Sequence, residues 1–223
     1  MRAASTVVSL LLLAGCAADE DPAAAPRTPS RAGPTSSTAA PTPSPTSSSA
    51  SPTPDPALDR RLIRAAYRND VEAAARLIAA GGDVNAKDRT EQSAYLIATS
   101  EVGDDPRLLE LTLANGADVR SLDSFDGTGL IRAADRGYVR IVRRLLDTDV
   151  RVDHVNNLGW TALHEAVILG DGSRDYVRIV RLLAAAGADV NKPSRRDGIR
   201  PLQHAERRGF ATVAGALREA GAR

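Results

Sequence analysis

Thr161-Ala162-Leu163-His164-Glu165-Ala166, with Ala186-Gly187-Ala188-Asp189-Val190-Asn191 some twenty residues downstream, is the stretch that decides the fold. Both halves have copies. The first recurs more weakly at Ser93 to Ala98, Thr128 to Ala133 and Arg200 to Ala205. The second recurs as Ala80-Gly81-Gly82-Asp83-Val84-Asn85, as Asn115-Gly116-Ala117-Asp118-Val119, and truncated as Ala220-Gly221-Ala222. With Asp149 at the glycine position of a degenerate copy, successive copies lie 35, 33, 38 and 34 residues apart. Tyr138-Val139-Arg140-Ile141-Val142-Arg143 also returns as Tyr176-Val177-Arg178-Ile179-Val180-Arg181. Motifs that recur in phase at this period mark a repeat architecture, in which each unit buries its apolar face against its neighbours.

The local chemistry agrees. Thr128 and Thr161 are placed to cap helices by accepting a backbone N–H. Gly81, Gly116 and Gly187 supply the left-handed residue that ends a helix. Leu62, Leu130, Leu163 and Leu202 are predicted core, each worth roughly 1.5–3 kcal/mol when buried. Of 223 residues only 7 are aromatic, so the core is built from small aliphatic side chains, which suits helical repeats. The departures are informative too. Asp149 stands where a positive φ is expected, which predicts a looser junction. Leu96 takes the place of the motif histidine in the second repeat, where two extra residues precede the outer helix. Asp171-Gly172-Ser173-Arg174-Asp175 is an insertion in the fourth. Arg60 and Arg61 where the first capping pair belongs, and Gly215, Arg218 and Glu219 in the last outer helix, read as end caps.

These motifs closely resemble ankyrin repeats, whose signature is T-P-L-H-x-A followed by a second helix and G-A-D-V-N. The resemblance covers 58–223. It implies an all-α solenoid of about five helix-turn-helix repeats joined by β-hairpin-like loops, approximately 58–88, 89–123, 124–155, 156–193 and 194–223. It also implies a protein-binding module that uses the concave surface of hairpin tips and inner helices, and a role for His164 in hydrogen bonding between neighbouring loops. Repeat mapping puts Arg64, Arg68, Arg132, Arg136 and Arg208 on or near that surface, a basic stripe whose complement is an acidic partner surface. Trp160, the only tryptophan, with Ile168 and Leu169 at positions usually polar, adds an apolar candidate contact in the fourth repeat. A solvated arginine face, and packing of Trp160 on the preceding hairpin with Ile168 and Leu169 under the inserted loop, are the bland alternatives.

Upstream, the chain reads differently. Arg2, an apolar stretch through Leu10 to Leu13 and small residues beyond have the layout of a secretory signal peptide over 1–15. Leu13-Ala14-Gly15-Cys16 resembles the lipobox of bacterial lipoproteins. That resemblance implies a diacylglycerol on Cys16, cleavage before it, and a protein held on the outer face of a bacterial membrane, at the cell surface or in the periplasm. Residues 16–57 then form a lipidated cysteine and a disordered linker, since 10 of the 13 prolines fall there among Ser, Thr and Ala. The linker's reach lies between ~35 Å as a coil and ~130 Å as polyproline.

Charge and composition narrow the function. With 29 basic and 28 acidic residues the net charge is +1, which argues against nucleic acid as a partner. One cysteine and three histidines leave no thiolate-rich zinc site and no intrachain disulfide. His154, His164 and His204 lie in different repeats without a matching nucleophile, and Asp171 and Asp175 lack the calcium-loop pattern. No catalytic residue, metal or cofactor is expected, and a monomer is. The sequence reading is a membrane-anchored, extracytoplasmic interaction module that binds another protein. An inhibitor, immunity factor or stabiliser of one exported enzyme is the alternative, and an envelope hydrolase or a purely structural stalk tip stands behind that.

Overall fold

The computed structural model describes residues 55–223; Cys16 and the linker through residue 54 lie outside them. Ten helices follow one another there: α1 (Pro56–Tyr67), α2 (Val71–Ala79), α3 (Ala94–Ser100), α4 (Arg107–Ala114), α5 (Gly129–Asp135), α6 (Val139–Leu146), α7 (Ala162–Ile168), α8 (Arg174–Ala185), α9 (Pro201–Arg207) and α10 (Ala211–Glu219). They pair as five antiparallel helix hairpins. The inner helices α1, α3, α5, α7 and α9 stack in sequence, while among the outer ones α2 lies on α4, α6 on α8, and α8 on α10. Among the described residues there is no strand, only an isolated bridge between Leu122 and Thr128.

Four of the five inner helices start on a side-chain cap; at α9 Arg200 makes none, and its N–H donates to Gln203 Oε1 at 3.0 Å. Ser93, Thr128 and Thr161 lie in extended backbone and accept the N–H three residues on. The first repeat differs from expectation: Asp55 is the cap and Pro56 the first helical residue, so Arg60 and Arg61 sit within α1. A proline there loses nothing, because its missing N–H would have had no helical partner. Leu62, Leu130, Leu163 and Leu202 are buried, as predicted, in one continuous aliphatic core with Ile141, Leu145, Ile179 and Leu183.

Between repeats the last residue of the G-A-D-V-N segment acts as a clasp. Asn85 donates to Gly116 O at 2.9 Å and accepts from Asp118 N at 2.8 Å. Asn191 does the same with Gly221 O and Arg223 N. In the degenerate copy Asp153 takes this place and accepts from Asp189 N. Gly81, Gly116, Gly187 and Gly221 have the expected positive φ, but Asp149 does not. The turn avoids the left-handed region; Thr148 N and Oγ1 both donate to Leu145 O, and Asp149 instead pairs with Arg120 at 2.7 Å. The Arg120 pair links the second repeat to the third, while the junction of the third with the fourth is made by the Asp153 bond to Asp189 N.

The extra residues also have work in the fold. Asp104, in the lengthened loop before α4, accepts Arg140 N and Ile141 N at 2.8 and 3.0 Å and so caps α6 of the next repeat. In the insertion before α8, Asp171 accepts Ser173 N at 2.8 Å. Tyr176 fixes that region by donating to Asp135 O at 2.8 Å.

Candidate partner-binding site

The inner helices carry two columns of side chains at equivalent positions. Four residues after each cap stand Ile97, Arg132, Glu165 and His204; eight after, Glu101, Arg136, Leu169 and Arg208. Arg64 and Arg68 hold the matching places in the first repeat, since Leu62-Ile63-Arg64-Ala65-Ala66 repeats as Leu130-Ile131-Arg132-Ala133-Ala134. The predicted stripe thus exists as aligned positions, but its members face different surroundings.

Arg132 is half-buried in a nest of acids. Its Nε lies 3.3 Å from Asp123, and its Nη atoms lie 3.8 Å from Glu101 and from Asp135. Arg136 reaches Glu101 at 3.8 Å and Asp135 at 3.9 Å. Arg208 donates to Gly170 O at 2.9 Å and stacks 4.6 Å over the Phe210 ring. These three guanidiniums are occupied within the chain. Arg64 and Arg68 are exposed and, with Arg61 and Arg76, line a depression of about 380 Å³ on the first repeat that contains no carboxylate. Among the described residues none of these four forms an ion pair.

The loop that leads into each inner helix is a finger, numbered by the repeat it opens, so the third runs into α5 and the fourth into α7; each of these two opens on a polar residue that closes it. Asp123 Oδ1 accepts Phe125 N and Gly127 N, and Asn156 Oδ1 accepts Leu158 N and Trp160 N. Such side-chain-to-backbone bonds hold the loop in a turn without a strand ladder. Trp160 is half-buried, and its indole Nε1 has no acceptor. Ile168 is half-buried too, whereas Leu169 is 50% exposed. Across from Leu169, at the tip of the third finger, Phe125 is 53% exposed. The sequence reading missed Phe125 altogether, because one aromatic in a polar loop carries no periodic signal.

Between Phe125 and Leu169 lies a cavity of about 130 Å³, whose walls also include Asp123, Arg132, Asp135 and Glu165. Glu165 is only 4% exposed. Its Oε1 accepts from Asn156 Nδ2 at 2.7 Å, and its Oε2 has no hydrogen-bond partner. Burial pushes the Glu165 carboxyl up to about 7, against the Asn156 bond that favours the charged form. Neighbouring His164 is pushed the other way, to about 4, by burial and by the His204 ring 6.4 Å away. His164 Nδ1 accepts Thr161 N at 3.3 Å, completing the α7 cap, and the other side of the ring faces the backbone of Lys192 and Ile199 in the following loop.

The arrangement suits recognition better than chemistry. The cavity is well below the roughly 300–1,000 Å³ of small-molecule sites, Asp123 is spent on its own loop and on Arg132, and the hydroxyl beside His164, Thr161 Oγ1 at 2.9 Å, is buried in the α7 cap. Among the described residues no three acids, cysteines or histidines are placed to hold a metal, and no helix is long and apolar enough to cross a membrane.

Comparison with known proteins agrees with this architecture. The family model described as ankyrin repeats (3 copies) matches residues 96–194. The ankyrin repeat protein YahD of Escherichia coli strain K12 is 38% identical over 147 residues, covering 66% of this chain and 72% of YahD. A crystal structure of an ankyrin repeat domain from Acinetobacter baumannii AYE is 48% identical, covers 73% of this chain and 81% of that one, and superposes with a TM-score of 0.68. Human cyclin-dependent kinase 4 inhibitor B is 35% identical over 95 residues, 43% of this chain and 64% of its own length. Ankyrin repeat proteins are typically interaction modules without catalysis of their own, and on its motifs, fold and relatives this chain belongs to the ankyrin repeat family.

Proposed function

We propose that this chain is a docking module that binds another protein through its concave face, centred between the third and fourth fingers. One observation carries the reading. Of the three large apolar side chains most exposed in the described residues, two, Phe125 and Leu169, flank one cavity. Apolar side chains held out beside a pocket are what binding hot spots are made of. Stacked repeats hold such a surface ready, so little ordering entropy is lost on association. Trp160 and Ile168 border this region in sequence, and the free arginines of the first repeat, Arg64 and Arg68, give acidic patches of a partner a complement.

The wider setting proposed is extracytoplasmic. Leu13-Ala14-Gly15-Cys16 is the basis for lipid attachment at Cys16, and the proline-rich linker would then act as a tether that raises the local concentration at the membrane. Binding that inhibits one exported enzyme is a narrower reading; similarity to a relative named for inhibiting a kinase favours it. The test is crosslinking and affinity capture from intact envelope with the full chain, comparing wild type with a Phe125→Ser, Leu169→Glu variant of unchanged helicity. A protein recovered with the wild type and lost with the variant is the expected result. Recovery indifferent to both changes would place binding elsewhere.

A further inference from the structure

We propose that the cavity between the third and fourth fingers receives a basic side chain, lysine or arginine, of the partner protein. This deepens the concave-face reading and rests on it. The charge decides the chemistry. Asp123, Asp135 and Glu165 contribute three carboxylates to the cavity wall against the single guanidinium of Arg132. Glu101 approaches the same guanidinium from α3, so the neighbourhood carries more acid than its two arginines offset. No cationic side chain of the chain's own reaches Glu165 Oε2, which has no hydrogen-bond partner although Glu165 is nine-tenths buried. A buried carboxylate oxygen left unpaired is costly, and a donor supplied on binding removes that cost.

The apolar rim fits the same occupant. Lysine and arginine carry a methylene stem below the charge, which packs on apolar surface while the head makes polar contacts. Phe125, Leu158 and Leu169 offer that surface, and the carboxylates stand with them around the one cavity. A carboxylate of the partner would meet like charge and have only the already shared Arg132 as counterion. The acidic partner surface expected from the sequence therefore applies to the exposed arginines of the first repeat and reverses in sign at the centre of the face.

The groups facing Glu165 are Asp123 and Asn156 from the fingers and Arg132 and Asp135 from α5. Because burial already holds the carboxyl high, capture of a cation should expel a proton and strengthen as pH rises from about 6 to 8.

The test uses a random heptapeptide display library selected on the immobilised full chain at pH 8, in parallel on Glu165→Gln and Leu169→Glu. Glu165→Gln keeps the shape and the Asn156 bond. The proposal expects wild type to enrich peptides with Lys or Arg beside an apolar residue, with at least tenfold lower recovery on Glu165→Gln and on wild type at pH 5.5. No enrichment, enrichment of acidic peptides, or basic peptides retained equally by Glu165→Gln overturns it. Peptides of another chemistry that bind wild type and are lost on Leu169→Glu would overturn the basic occupant and leave the concave reading standing. Peptides indifferent to both variants would overturn both.

Discussion

Replacing Glu165 by Gln should reshape the dependence of stability on pH. In the folded chain the Glu165 carboxyl is raised from 4.5 to about 7, so the native state holds its proton more tightly than the unfolded one. Its contribution is complete below pH 4.5 and is lost as pH rises to about 7; the 2.5-unit difference corresponds to about 3 kcal/mol. His164 works in the opposite direction. Lowered from 6.5 to about 4, it contributes stability above pH 6.5 that is lost as pH falls toward 4. Between pH 4.5 and 6.5 the two slopes oppose each other, so in the wild type this pair leaves stability nearly level. Glu165→Gln removes one slope and keeps the Asn156 bond. The variant should match wild type near pH 4.5 and gain on it with rising pH, by about 3 kcal/mol at pH 8. For a domain of this size that is a Tm difference on the order of 6–12 °C. Thermal unfolding followed by circular dichroism from pH 4.5 to 8 measures it. A Tm difference that does not change with pH, or that shrinks as pH rises, would refute the reasoning.

Four further outcomes are expected. Asp104→Ala removes the cap that the second repeat lends to α6 and should cost ~1–2 kcal/mol, with faster hydrogen exchange at the Arg140 and Ile141 amides. Gly129→Ala would place a methyl 2.7 Å from Tyr95 Oη and 2.8 Å from Thr99 Cγ2, costing ~1–3 kcal/mol in chemical denaturation. Gly215→Ala meets nothing within 4 Å inside α10 and should gain ~0.5–1 kcal/mol in the same assay. Cys16→Ser should abolish labelling of the chain by a clickable fatty acid in a bacterial host; label that persists would exclude Cys16 as the acceptor.

The parts of the fold legible in the sequence are those whose chemistry is local. Thr128 and Thr161 cap the helices they were predicted to cap because the bond spans three residues, and Gly116 and Gly187 turn where left-handed backbone is needed. Asp149 was misread because a glycine position was assumed to keep its conformation; the chain changed the turn and closed it with Thr148 on Leu145 O. The site was less legible. Arg132 was visible as a charge, but its acids come from α3, a finger and its own helix, and only stacking assembles them. Glu165 lay inside the best copy of the motif, which carries no sign that the side chain is buried. Comparing position four after each cap, where Ile97, Arg132, Glu165 and His204 align, would have set it beside Arg132. Phe125 gave no signal of that kind.

The central claim is that the concave face is the surface a partner meets. Photo-crosslinking tests it most directly, with benzoylphenylalanine placed in the full chain at Phe125, at Leu169, or at Arg143 on the outer helix α6. The account predicts that positions 125 and 169 crosslink to the same protein and that position 143 does not. Crosslinking from 143 alone, or equally from all three positions, would contradict it.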